Sequence, residues 1–198
     1  MAKLYFKYSA MNAGKSTALL QVAFNYESDL ACDIIIFTAE IDTRFGEGRV
    51  TSRIGIDHAA IKFNSYTNIS QKISDITQNN DKRIDCILVD EAQFLTKIQV
   101  VDLHKFAHLQ GVPVMCYGIR TDFMGNTFPG SAALLSIADD IQELKNLCSR
   151  CVTRKATMNP RVDNKGHRIM EGPQVGIEST AYKYAPMCPK CFYESELI

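Results

Sequence analysis

Two observations predict an α/β domain built on a largely parallel sheet. Short apolar runs alternate with helical patterns over residues 1–147. Two of those runs, residues 33–39 (Asp-Ile-Ile-Ile-Phe-Thr-Ala) and 86–89 (Cys-Ile-Leu-Val), are nearly continuous in apolar side chains, as strands buried on both faces are. Strand–helix alternation then calls for right-handed crossovers between parallel neighbours.

The elements follow in order. A first strand spans residues 4–8 and a helix residues 18–26. After the strand at 33–39, residues 40–55 read as a polar loop carrying three Arg and three Gly. A helix over 66–78 puts Ile69, Ile73 and Ile76 on one face. The strand at 86–89 ends in Asp90-Glu91. Thr96-Lys97-Ile98-Gln99 matches a capping box, opening a helix to about His108 that Gly111 stops. A strand at 113–117, a loop rich in Gly and aromatics at 120–129 and a short helix at 131–138 complete the pattern. Residues 141–147 lead into a cysteine region. The composition shifts near Lys145: from there to Arg168 seven Lys or Arg stand against one acid, Asp163. The expected division is an α/β domain over 1–144 and a small cysteine-bearing domain over 145–198.

The chain has 198 residues, enough for one full core, and 22 basic side chains balance 22 acidic ones. That balance supplies no global field toward nucleic acid or a membrane surface. No apolar run approaches the ~18 residues that span a bilayer. The first residues enter a strand directly with no signal peptide, so a cytoplasmic protein is expected.

The chemistry begins at Ser9-Ala10-Met11-Asn12-Ala13-Gly14-Lys15-Ser16-Thr17, between a strand and a helix, which is the context of a phosphate-binding loop. Backbone N–H groups at the helix start and the helix dipole favour an anion there. Gly14 admits close backbone approach, Lys15 reaches the β- and γ-phosphates, and Ser16, with Thr17 beside it, ligates Mg²⁺. Ser9 stands where the pattern usually has its first glycine. Asp90 at the end of an apolar strand supplies the second half of a P-loop NTPase site, holding Mg²⁺ opposite Ser16, with Glu91 placed as general base. The pair leaves open what Glu91 deprotonates: water in an ATPase, a substrate hydroxyl in a kinase.

Cys148-x-x-Cys151 and Cys188-x-x-Cys191 have the ligand type and spacing of a tetrahedral structural Zn²⁺ site with no open position. Thirty-six residues separate the pairs, against roughly 15–20 in a common zinc ribbon, so the metal staples the base of a long loop. Cys32, Cys86 and Cys116 read as small buried hydrophobes. His104 and His108 form an i,i+4 pair without a nearby third ligand and suggest no site. Phe94, Phe123 and Phe128 sit in or near loops at strand ends, where aromatics can wall a planar ligand as readily as anchor a loop to the core.

Asn12–Thr17, Asp42-Thr43-Arg44, Asp90-Glu91-Ala92-Gln93-Phe94 and Tyr117-Gly118-Ile119-Arg120-Thr121-Asp122-Phe123 occur in order, followed by the two cysteine pairs. Together they resemble type II thymidine kinases, the cytosolic human type and more closely the bacterial and phage forms, over residues 2 to about 192. The resemblance implies a RecA-like P-loop fold with a C-terminal zinc domain carrying a lasso loop. It implies transfer of the γ-phosphate of ATP to the 5′-hydroxyl of thymidine or deoxyuridine. Glu91 matches the general base, Ser16 and Asp90 the Mg²⁺ positions, Lys15 the phosphate lysine, and Arg44 an arginine near the transferred phosphoryl. Met11, Phe94, Ile119, Phe123 and Phe128 fall where the family lines its thymine pocket. Val175, Gly176, Ile177, Glu178, Ser179 and Tyr184 fall in the lasso, where this chain reads Val-Gly-Ile-Glu-Ser against a common Val-x-Ile-Gly-Gly. A homotetramer and inhibition by the end product dTTP are also implied. The rival readings are a nucleic-acid-dependent ATPase, in which residues 145–168 meet phosphates, and a nucleotide sensor. The neutral chain and the lack of aromatics interleaved in the basic stretch weigh against the first, and the presence of Glu91 against the second, so no nucleic acid is expected.

Overall fold

The computed structural model describes residues 1–42, 48–80, 83–176 and 180–195, with backbone only at 79 and 80. In chain order the elements are β1 (Leu4–Tyr8), α1 (Lys15–Phe24), a π-helical turn (Asn25–Asp29), β2 (Ile34–Ala39), β3 (Arg49–Thr51), β4 (Asp57–Ala59), β5 (Ile61–Phe63) and α2 (Ile69–Asn80). Then come β6 (Cys86–Val89), a 3₁₀ turn (Ala92–Phe94), α3 (Lys97–Gln110), β7 (Val114–Gly118), α4 (Pro129–Ile137) and β8 (Asp140–Glu143). The last part holds β9 (Arg161–Val162), β10 (Arg168–Ile169), β11 (Lys183–Tyr184) and α5 (Pro189–Glu194).

The main sheet has the order β5-β2-β6-β7-β1-β8, and every neighbouring pair is parallel. Period-2 alternation sorts its side chains onto two covered faces. Phe6, Ile35, Phe37, Ile87, Val89 and Cys116 join Ile69, Ile73, Leu103 and Leu134 from α2, α3 and α4. Ile36, Cys86, Leu88 and Tyr117 join Leu19, Leu20 and Ala23 from α1. A sheet covered on both sides explains the unbroken apolar runs at 33–39 and 86–89. The order puts β7 between β1 and β6, so the phosphate loop and Asp90 leave the same edge of the sheet two strands apart.

Several expected boundaries move. The first helix begins at Lys15, not Ala18, because Gly14 caps it in a left-handed conformation (φ 78°). Residues 40–55 are not all loop: β3 pairs antiparallel with β4, joined at the base by the Arg49–Asp57 ion pair. Strand β8 follows α4, where the sequence has polar and charged residues. It is held by parallel backbone pairing with β1, not by an apolar pattern. The capping box appears as expected: Thr96 Oγ1 accepts from Gln99 N at 3.2 Å and Gln99 Oε1 accepts from Thr96 N at 2.8 Å. The helix it opens ends at Gly111, which caps it in a left-handed conformation. Cys86 and Cys116 are buried small hydrophobes, while Cys32 is half-exposed. Beyond β8, β10-β9-β11 form a small antiparallel sheet against a cluster containing Cys148, Cys188, Cys191, Met187 and Phe192.

One glycine shows how tightly this edge of the sheet is packed. A Cβ at Gly130, in the first turn of α4, would lie 2.6, 2.8 and 2.7 Å from the carbonyl oxygens of Ala92, Gln93 and Leu95. Backbone atoms cannot swing aside as a side chain can. Gly130→Ala is expected to lower stability by about 1–3 kcal/mol, as overpacking does, read as a lower urea midpoint with an unchanged slope.

Candidate active site

The phosphate loop leaves the carboxyl end of β1 and turns through two left-handed residues, Asn12 (φ 63°) and Gly14 (φ 78°). Open space surrounds the Cβ position of Gly14, so backbone conformation and not crowding calls for glycine there. No side chain caps α1, so its first N–H groups face outward as an anion site does. Lys15 Nζ donates to Ser9 Oγ and to the Ala10 carbonyl, both at 3.3 Å. Ser9 is buried, and its hydroxyl helps hold Lys15 in place. The loop is clamped from outside as well. Met11 N donates to Asn159 Oδ1 at 2.6 Å, and Asn146 Nδ2 donates to the Met11 carbonyl at 3.0 Å.

Ser16 Oγ donates to Asp90 Oδ2 at 2.9 Å, and Glu91 N donates to Asp90 Oδ1 at 3.0 Å. Burial first, then the adjacent Glu91 charge, pushes the Asp90 carboxyl well above the ordinary aspartate value. Glu91 itself is left-handed (φ 51°), a conformation a non-glycine residue adopts at some cost, and such strain gathers at functional sites. Gln93 was not singled out from the sequence, yet its side chain brackets the site. Its Nε2 donates to Glu91 Oε2 at 2.5 Å, and its Oε1 accepts from Ile119 N at 3.1 Å. A Cβ at Gly118 would lie 2.7 Å from that Oε1, so glycine there admits the bracket.

Most of these groups border one cleft of about 340 Å³, while Asp90 lies with Ser16 on a small adjoining cavity. Asn12 through Thr17, Glu91, Met11, Phe94, Ile119, Phe123, Phe128, Val175, Gly176 and Tyr184 all line it. Ser9 and Ala10 are buried behind the loop instead. Phe94 and Phe128 meet edge to face with centroids 5.8 Å apart. The β3–β4 hairpin and its turn contribute Thr51 to Ile54 to the same wall. Arg44, Ile177, Glu178 and Ser179 lie outside the described residues.

The long loop between the cysteine pairs is organised by Arg161. Its guanidinium is buried 4.0 Å over the Phe123 ring and 5.3 Å from the Tyr184 ring, while its Nε donates to Tyr184 Oη at 2.9 Å. Tyr184 Oη in turn donates to the Gly176 carbonyl at 3.0 Å. Gln174 Nε2 donates to Asp122 Oδ2 at 3.0 Å, tying the loop to residues 120–129. Arg168 stacks 3.5 Å over Phe192, and Lys155 pairs with Glu143. Three of the seven basic residues at 145–168 therefore serve the fold, which leaves less of that stretch for a nucleic-acid contact.

The four cysteine sulfurs lie within 4.8 Å of one another, Cys151 and Cys188 at 3.9 Å, and all four are free thiols. A tetrahedral site with Zn–S of about 2.3 Å separates its sulfurs by about 3.8 Å. The Thr153 hydroxyl and backbone N–H draw the Cys151 thiol down to about 6, whereas burial and the neighbouring thiols push Cys191 up to about 12. A divalent cation would let all four carry charge together. The cluster thus fits a structural metal.

The all-parallel sheet, the glycine-capped loop and the Ser16–Asp90 pair define a P-loop NTPase fold of the kind that handles nucleoside triphosphates. A family model described as "Thymidine kinase" matches residues 2–192. The thymidine kinase of Chromobacterium violaceum is 47% identical over 194 residues, covering 98% of this chain and 99% of that one. That of Idiomarina loihiensis is 48% identical over 195 residues (98% of each), and that of Albidiferax ferrireducens 45% over 194 residues (98% and 93%). A solved Pif1 helicase from Candida albicans is only distantly alike, at 12% identity and a TM-score of 0.45 over 73% of this chain and 36% of that one. This chain belongs to the thymidine kinase family.

The raised Asp90 value carries a stability consequence. Between the ordinary aspartate range and the raised value, the folded chain holds a proton the unfolded chain has released, so stability falls as pH rises through that window. Asp90→Asn removes the term. The ligand-free variant is expected to melt a few degrees above wild type at pH 8, since about 1 kcal/mol moves Tm by about 2–4 °C at this size. The difference should vanish near pH 4. Calorimetry across pH checks it.

Proposed function

We propose that this chain, a phosphotransferase of the thymidine kinase family, transfers the γ-phosphate of ATP to the 5′-hydroxyl of thymidine or deoxyuridine. The observation that carries this reading is the Glu91 carboxylate on the wall of an aromatic-lined cleft that the phosphate loop also borders. A neutral nucleoside calls for an apolar, aromatic wall with a few polar groups, and Phe94, Phe123, Phe128, Met11 and Ile119 supply that wall. The backbone of residues 175–179 and Tyr184 would hold the base from the lasso side.

Lys15 and the N–H groups of the loop hold the triphosphate. Ser16 and Asp90 are the groups that would hold Mg²⁺, which when bound offsets charge on the phosphate oxygens. Glu91 accepts the 5′-hydroxyl proton as the oxygen attacks the γ-phosphorus and ADP leaves. Gln93 fixes the orientation of Glu91, because its amide is itself held by Ile119 N. Arg44 is assigned to the transferring phosphoryl group. The lasso, stiffened by Arg161 and tied down by Gln174, covers the acceptor and keeps out water, which would otherwise take the phosphoryl group.

Zinc at Cys148, Cys151, Cys188 and Cys191 is the structural metal in this reading. The chain divides after residue 144 into a nucleotide-binding part and a zinc-binding part. It works in the cytoplasm as a homotetramer inhibited by dTTP. No helix among the described residues is long and apolar enough to cross a membrane.

Two measurements test the reading. With Mg-ATP and thymidine, Glu91→Gln is expected to lower kcat by about 10²–10⁴-fold while ATP affinity stays within about twofold; undiminished turnover would remove Glu91 from its role. Stripping metal with a strong chelator under reducing conditions is expected to release the zinc held by the four cysteines and abolish thymidine phosphorylation. Full activity in metal-free protein would show that the cysteine cluster is dispensable.

A further inference from the structure

The histidine pair at 104 and 108 lacks a third ligand nearby in sequence, but the fold provides one. Asp139, between α4 and β8, meets the pair on the surface of α3. His108 Nε2 lies 3.1 and 3.0 Å from the two Asp139 oxygens, and His104 Nε2 lies 3.7 Å from Oδ1. Three potential ligand atoms from three side chains thus lie within 4.8 Å of one another. The two rings meet edge to face with centroids 4.6 Å apart.

Hydrogen bonding accounts for only part of this arrangement. Asp139 and His108 are a bonded pair. His104 Nε2 is too far from Oδ1 for a hydrogen bond, yet it converges on the same carboxylate. A tetrahedral cation with ligands at about 2.0–2.1 Å sets its donor atoms about 3.3 Å apart. Measured to the one oxygen Oδ1, the observed 3.1 Å from His108 and 3.7 Å from His104 straddle that edge. The carboxylate is also anchored from behind: Leu4 N donates to Asp139 Oδ2 at 2.8 Å, and Asp139 N donates to the Leu4 carbonyl at 2.9 Å. An outer-shell donor of this kind orients a carboxylate ligand. The side chains are about one-quarter to one-third exposed, so a cation can enter and water can complete its shell.

We propose that His104, His108 and Asp139 form a second metal site, for a divalent cation of the zinc, cobalt, nickel or copper type, clasping α3 to the start of β1 and β8. Two imidazoles and one carboxylate suit those ions over Mg²⁺ or Ca²⁺, which prefer all-oxygen shells. The site is at the amino-terminal edge of the sheet, whereas the phosphate loop, Asp90 and Ile119 follow the carboxyl ends of their strands. The metal is therefore a clip remote from the reaction.

The test uses full-length protein with its cysteine site already loaded with zinc. Titration with Co²⁺ alone is expected to bind one further equivalent, with weak visible d–d bands and no intense sulfur-to-cobalt charge-transfer band. His104→Ala, His108→Ala and Asp139→Asn should each weaken that binding at least tenfold, while circular dichroism and thymidine turnover stay at wild-type values. His58→Ala, a change elsewhere on the surface, should leave it intact. Zn²⁺ should raise the Tm of wild type by a few degrees and leave Asp139→Asn where it was. Absence of a second equivalent in wild type, or its persistence at full strength in all three variants, overturns the proposal. If thymidine phosphorylation itself were absent, the functional reading would fail while this site stood or fell on the cobalt spectrum alone.

Discussion

The geometry of the candidate active site depends on one buried amide. Gln93 is 2% exposed and spans the ends of two adjacent strands, accepting from Ile119 N past the end of β7 and donating to Glu91 past the end of β6. Without such a brace a left-handed glutamate on a short connection would relax into several rotamers. With it, the acid side chain has one place to be, and the strand that leads into the aromatic loop is locked to the strand that carries the carboxylates. Gly118 and Gly130 belong to the same constraint. Each lacks a side chain where one would strike the Gln93 side chain, at Gly118, or the backbone around Gln93, at Gly130.

Much of the architecture was legible because its signals are local. A glycine-lysine-serine after a strand, an acidic pair ending an apolar run and two C-x-x-C pairs each announce themselves within a few residues. The central strands β2 and β6 were legible because burial on both faces demands unbroken apolar composition. The elements that escaped are those held by backbone pairing. Strand β8 is polar and half-exposed, with Ile141 44% exposed, and nothing in Asp-Ile-Gln-Glu marks it as sheet. The β3–β4 hairpin is likewise short and charged.

The site shows the same division. Every described nucleoside-pocket residue expected from the sequence lines the cleft, because those positions follow motifs with fixed spacing. The residues that hold them escaped. Arg161 was counted among basic side chains, and its buried place among three aromatic rings depends on Phe123, Tyr182 and Tyr184 arriving from elsewhere in the chain. Asn159 and Gln174 have partners at Met11 and Asp122, separations that no sequence window spans. Ser9, an oddity in a phosphate-loop pattern, acquires a reason in the hydrogen bond that Lys15 Nζ donates to it.

The peptide at Met11 links two parts of the molecule. Its N–H is held by Asn159 and its carbonyl by Asn146, and these asparagines flank Cys148 and Cys151 in the chain. Whatever gathers the sulfurs also fixes the segment from which both asparagines reach, and so fixes the glycine-capped loop before α1. Coupling of this kind is reciprocal. To the extent that order around the sulfurs strengthens the grip on a triphosphate, a bound triphosphate must strengthen the grip on the metal by the same factor. A chain at work on its nucleotide would then hold a metal at its four cysteines better than an idle one.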